Sequence, residues 1–172
     1  MEKLVYNELF SINRDLLDQV HLSQISRDLL DDLENFLIYI GEKDLDLTKQ
    51  TNYIKRKQLI EINNFLNNKM VISKKAPKQN DVPLIHYFYD LSLNYGLTYV
   101  DEDKKLILNS DAIDFLKLND EEKYLLLFQY LWSVDFIIDI LPDSDEETLR
   151  RGKNDFMDLV HFSRANTKYD LD

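Results

Sequence analysis

The chain contains no cysteine. Disulfides, Cys-ligated zinc, iron–sulfur clusters and thiol nucleophiles are therefore outside its chemistry. Glycine and proline are also scarce, three of each in 172 residues. Large sheets and elaborate loops consume those residues, so the shortage favours a mostly helical protein. It also removes phosphate-cradling loops and dinucleotide fingerprints, which need clustered glycines, and no Gly-x-Ser-x-Gly occurs. No apolar run approaches the length of a membrane span, Tyr124–Phe128 being typical of the longest. Met1–Leu9 is charged and lacks the apolar core of a secretory signal. A cytoplasmic protein with no membrane contact is expected. The chain stops at Leu171–Asp172 without obvious punctuation, as a piece of something longer would.

What is present is a globular composition, 44% hydrophobic with nine Phe and ten Tyr, long enough to bury a sizeable core. The net charge is −11, but its placement is uneven. Residues 43–78 hold nine Lys and Arg against three acids, and the remainder holds twelve against twenty-nine. A polyanion is repelled by most of this surface and can approach only through 43–78.

Periodicity predicts a mainly α fold. Lys3–Val20 has helical apolar spacing, and a second helix carries Ile25, Leu29, Leu30, Leu33, Phe36, Leu37 and Ile40, with Ser26 as its cap, Asp28 in its first turn and Gly41 as its stop. Leu45–Thr48 alternates as a short edge strand. Lys55–Asn68 is the next helix, and Lys69–Asn80 a basic loop. Asp81 is expected to cap a helix running to about Tyr95, with Pro83 in its first turn and Gly96 at its end. Leu97–Val100 and Lys105–Leu108 flank the polar turn Asp101–Lys104 as a hairpin. Asp101 and Asp103 do not make a calcium loop, because the sixth-position glycine and twelfth-position glutamate are missing. Ser110–Leu118 is a short helix. Asn119 caps a long one to Leu141, ended by Pro142, and Ser144 with Glu147 starts a last helix through Phe162.

Candidate chemistry is thin. His21, His86 and His161 show no paired metal-ligand spacing. Asp135 and Asp139 are four apart, but they sit on or beside a polar strip with Glu122, Gln129 and Ser133, which reads as a solvated helix face. No catalytic residue, metal site or cofactor is assigned, and an enzyme is not expected.

The order helix, strand, helix, helix, hairpin is that of a winged-helix domain. In a DNA-binding version the third helix reads base edges with Arg, Lys, Asn or Gln. Here Val82–Tyr95 has no Lys or Arg, and only His86, Ser92 and Asn94 qualify as polar readers. The hairpin tip adds Asp101, Glu102 and Asp103, which repel phosphate. Sequence-specific groove reading is therefore disfavoured. The cations lie elsewhere: Lys49, Lys55, Arg56 and Lys57 in one run, Lys69, Lys74, Lys75 and Lys78 in another. Cations at a helix start oppose the dipole, so Lys55-Arg56-Lys57 points to an anionic partner.

Leu47-Thr-Lys-Gln-Thr-Asn-Tyr-Ile-Lys-Arg-Lys-Gln-Leu59, Asp81-Val-Pro-Leu-Ile-His86, Gly96-Leu97 and Lys105-Leu-Ile-Leu-Asn109 together resemble a bacterial winged-helix-like region. Such regions occur in a plasmid open-reading-frame-three-type family and in the helicase-associated winged domains of repair helicases. The match covers about residues 45–118. Lys55 stands where that pattern usually has proline, and Asn52 where glycine is expected. The resemblance implies a winged-helix-like core (three helices plus a short β-hairpin) with flanking N- and C-terminal helices. It implies no activity, because the plasmid group has none established.

The expected organisation is one mostly helical domain over 1–172, with its core at 26–109 and a C-terminal helical extension at 110–172. The expected role is a non-catalytic protein-interaction or scaffolding module, using the aromatic helix 82–95 with His86, Tyr87 and Tyr89 as protein contacts, or the polar strip of helix 120–141. The alternative is a nucleic-acid-associated accessory domain holding phosphate through the 49–57 and 69–78 basic surface. A protein partner is preferred to nucleic acid, and a homodimer is compatible with the sequence.

Overall fold

A computed structural model describes residues 21–43, 45–131, 147–148 and 150–152. The chain divides into two compact units, Met1–Gln129 and Tyr130–Asp172. The expected helix over 3–20, the long helix beyond Leu131 with Asp135 and Asp139, and most of the last helix with His161 lie outside the described residues.

The described part is mainly helical with a small three-stranded antiparallel sheet. Its elements run α1 (Gln24–Glu42), β1 (Leu45–Asp46), α2 (Arg56–Phe65), a 3-10 turn (Gln79–Asp81), α3 (Pro83–Asn94), β2 (Thr98–Val100), β3 (Lys105–Leu108), α4 (Asp111–Leu116) and α5 (Asp120–Leu131). The sheet order is β1-β3-β2, so β1 is an edge strand, as its short alternation implies.

Each element has a local cause, and three of those causes differ from expectation. Ser23, not Ser26, caps α1, its Oγ accepting from the Ser26 amide at 3.2 Å. The helix thus begins earlier, and Asp28 falls outside the first turn, where it accepts from Gln24 Nε2 at 2.7 Å. Gly41 does not stop α1, which continues to Glu42. Instead, a Cβ at Gly41 would lie 3.2 Å from Leu108 Cδ2, so the glycine lets β3 approach the helix. Asp81 does not cap α3 either. Val82 is the N-cap without a side-chain bond, and the Asp81 carboxylate closes the preceding 3-10 turn by accepting from the Lys78 amide at 2.9 Å.

Other local signals act as expected. Pro83 opens α3, where its missing amide costs nothing. Gly96 follows the helix with φ of 66°, the left-handed conformation that glycine adopts most cheaply. In the hairpin turn, Asp101 Oδ1 accepts from the Lys105 amide at 2.7 Å, and Lys104 takes φ of 61°. Asn119 and Glu122 form a reciprocal capping box at the start of α5, at 2.8 and 3.1 Å.

The core lies between α1, α2, α3 and one face of the sheet. Leu33, Phe36 and Leu37 of α1 meet Leu59 and Ile62 of α2, Ile85, Phe88 and Leu91 of α3, and Leu45, Leu97 and Leu106 from the sheet side, all fully buried. The Phe36 and Phe88 rings are 5.9 Å apart at their centroids. Each such side chain contributes about 1.5–3 kcal/mol on leaving water. This packing fixes α2 relative to the turn before it and the segment before α3, and those two stretches form the site.

Candidate anionic-partner interface

Between Thr48 and Tyr53 the chain makes a tight turn. The Thr48 amide donates to the Tyr53 carbonyl at 2.8 Å, and the Asn52 amide donates to the Thr48 carbonyl at 3.0 Å. Thr48 Oγ1 accepts from the Tyr53 amide at 3.1 Å and lies 2.7 Å from Thr51 Oγ1. Asn52 takes φ of 54°, a conformation open to glycine and tolerated by asparagine, which accounts for Asn where the resembled pattern has Gly. Lys55, where that pattern has proline, has φ of −64°, the value a proline ring imposes. The Tyr89 hydroxyl donates to the Asn52 carbonyl at 2.5 Å and anchors the turn to α3.

The opposite wall is Pro77–Asp81. Gln79, 1% exposed, laces the two walls together. Its Oε1 accepts from the Ile54 amide at 2.8 Å, which fixes the amide orientation and turns Nε2 toward His86 Nδ1 at 3.1 Å. His86 Nδ1 is then the acceptor, and its Nε2 faces Asp90 Oδ2 at 3.4 Å. Tyr53 packs edge-on to His86 and Tyr89, with centroids at 5.6 and 6.4 Å.

The result is an open cleft of about 710 Å³. Lys49 and Arg56 line one wall and Lys78 the other, above Tyr53, Ile54 and Pro77. Asp81 also lines it, and its carboxylate is engaged by Lys74 Nζ on Oδ1 and by the Lys78 amide on Oδ2. The Lys74 hydrogen bond, reinforced by that amide, holds the Asp81 carboxyl below its ordinary range. The helix behind Arg56 has no side-chain cap and no acid in its first turn.

The two basic runs are thus sorted by the fold. Lys49, Arg56 and Lys78 converge on the cleft. Lys55 pairs with Asp46 at 3.0 Å, Lys57 stands 3.9 Å from Glu61, and Lys74 engages Asp81. Lys69 and Lys75 are exposed away from the cleft lining.

The residues expected as protein contacts on the aromatic helix are buried within the chain. His86, Tyr87 and Tyr89 are 2, 5 and 4% exposed, and their polar ends serve the interior. Tyr87 donates to the Leu127 carbonyl of α5, Tyr89 to Asn52, and His86 accepts from Gln79. Three aromatic or semi-polar residues in a helix read equally well as surface or core from sequence, and here α3 is the central helix. Of the three polar readers considered for groove recognition, Ser92 is also buried and only Asn94 is exposed. Glu102 and Asp103 at the hairpin tip are exposed.

Gln79 and Tyr53 carried no sequence signal for this role. A glutamine in a polar loop is ordinarily solvated, and only the tertiary closure of 77–81 on 48–54 buries it. His21 is exposed, and among the described residues no group of three His, Asp or Glu side chains is arranged to hold a metal ion. No protein-family model, curated protein or solved structure matches this chain.

Proposed function

We propose that this chain is a non-catalytic protein-interaction module of winged-helix type, whose contact surface is the basic cleft and whose partner supplies an acidic segment. The convergence of Lys49, Arg56 and Lys78 on one cleft, in a chain of net charge −11, carries the reading. The element order α1-β1-α2-α3-β2-β3 and the sheet order β1-β3-β2 support the winged-helix assignment.

An acidic peptide fits the electrostatics better than duplex DNA. A peptide can lie within the cleft, where Lys49, Arg56 and Lys78 outweigh the Asp81 carboxylate that Lys74 engages. A duplex is wider, and brings phosphates against the exposed Glu102 and Asp103 and the acidic remainder. The inward-facing His86 and Ser92 leave α3 poorly equipped to read bases. The second reading, a nucleic-acid-associated accessory domain gripping phosphate non-specifically, draws on the same cations.

Fluorescence anisotropy with a labelled glutamate-rich peptide and with a random-sequence duplex separates the two. The expected outcome is micromolar peptide binding, weaker duplex binding, and loss of the peptide signal in the Lys49/Arg56/Lys78→Glu triple variant. Tighter binding of the duplex, collapsing as salt rises, moves the assignment to nucleic acid. Binding of neither probe removes the proposal.

A further inference from the structure

Among the described residues lining the cleft, Asp81 alone is acidic, and it would repel the ligand just proposed. Lys74 does not line the cleft but reaches Asp81 from outside it. The pair is not there for stability in any large measure. The Lys74 side chain is 65% exposed, and exposed ion pairs contribute little because water screens them. Its effect falls on the cleft. One Asp81 oxygen is covered by the Lys74 ammonium and the other by the Lys78 amide, so the carboxylate is masked on both sides while Lys49, Arg56 and Lys78 stay on the lining.

We infer that Lys74 is a specificity-determining residue that acts through Asp81, strengthening the positive charge of the cleft without itself touching the acidic ligand. This rests on the cleft being the ligand site. Removing Lys74 uncovers a negative charge inside an anion site. An uncompensated charge several ångströms from the ligand in a solvated cleft corresponds to a roughly three- to tenfold loss of affinity. Removing the carboxylate as well makes Lys74 dispensable. Asn at 81 keeps a carbonyl oxygen for the Lys78 amide, so the 3-10 turn retains its closure.

The test is anisotropy of the full chain with the glutamate-rich peptide for wild type, Lys74→Ala, Lys74→Arg, Asp81→Asn and the Lys74→Ala/Asp81→Asn double variant, with thermal midpoints measured in parallel. Lys74→Ala is expected to weaken binding roughly three- to tenfold, with a midpoint close to wild type. Lys74→Arg should bind as wild type, and Asp81→Asn as wild type or tighter. The double variant should regain wild-type affinity. A double variant as weak as Lys74→Ala means Lys74 holds the ligand or the loop directly, and overturns the inference. Wild-type binding by Lys74→Ala also overturns it while leaving the cleft assignment intact. A wild-type chain that does not bind the peptide defeats both.

Discussion

Asp32 is a fully buried carboxylate on a helix face otherwise made of Leu33, Phe36 and Leu37. It persists there because three donors meet it: the Asn67 amide at 2.5 Å, the Asn68 amide at 2.9 Å and Asn68 Nδ2 at 2.8 Å. It thus closes the loop after α2, and Asn63 continues the closure by exchanging two hydrogen bonds with Met70. Asp32→Ala leaves those donors without their acceptor and is expected to destabilise the fold by about 2–4 kcal/mol, with Asp32→Asn less severe, measured by urea unfolding. A second residue-scale effect appears at alkaline pH. Burial, then the neighbouring charge of Asp90, pushes the Tyr89 phenol up to about 12; burial and the hydrogen bond to Glu61 do the same for Tyr39. An unfolded tyrosine ionises near 10. The folded state therefore favours the protonated form, and this stability is complete below pH 10 and lost as pH rises through 12. Urea midpoints should fall across that interval, and Tyr89→Phe should show a shallower fall from a lower starting stability. An equally steep fall in the variant would contradict the assignment.

At the scale of elements, α5 is held to α1 and α3 by specific bonds as well as by Leu126 and Leu127. Lys123, 5% exposed, pairs with Glu34 of α1, and Arg27 pairs with Asp120 at 3.0 Å. From α3 and its C-cap, the hydroxyls of Tyr87 and Tyr95 donate to the Leu127 and Leu126 carbonyls. Removing one member of a buried pair strands the other, but Glu34 is partly solvated, so Lys123→Ala should cost about 1–3 kcal/mol. Lys123→Met, which keeps the buried stem volume, should recover part of that in thermal melts. The core elements were the most legible part of the sequence. The 3.6 period located α1, α2 and α3, and Gly96 with the two β-rich runs located the hairpin, because each rests on signals within a few residues. The differences at Ser23, Gly41 and Asp81 have two causes. At Gly41 the incoming Leu108 is a tertiary neighbour that local pattern does not show, whereas at Ser23 and Asp81 the local sequence offers two acceptable caps or turns and the structure takes the other.

For the whole molecule, the uneven charge was visible in the sequence but its geometry was not. Residues 49–57 and 69–78 read as two runs, and the fold draws one wall of a single cleft from each while retiring Lys55 and Lys74 into ion pairs. The aromatic helix α3 lies at the centre of the core, because aromatic side chains around most of a helix leave periodicity unable to say which face is covered. The cleft is tested most directly by an amide chemical-shift titration of the isotope-labelled full chain with the glutamate-rich peptide. The largest shifts should fall on Lys49–Arg56 and Lys78–Asp81, with little change at Asp101–Lys104. Shifts that concentrate elsewhere, or none on saturating peptide, would contradict it.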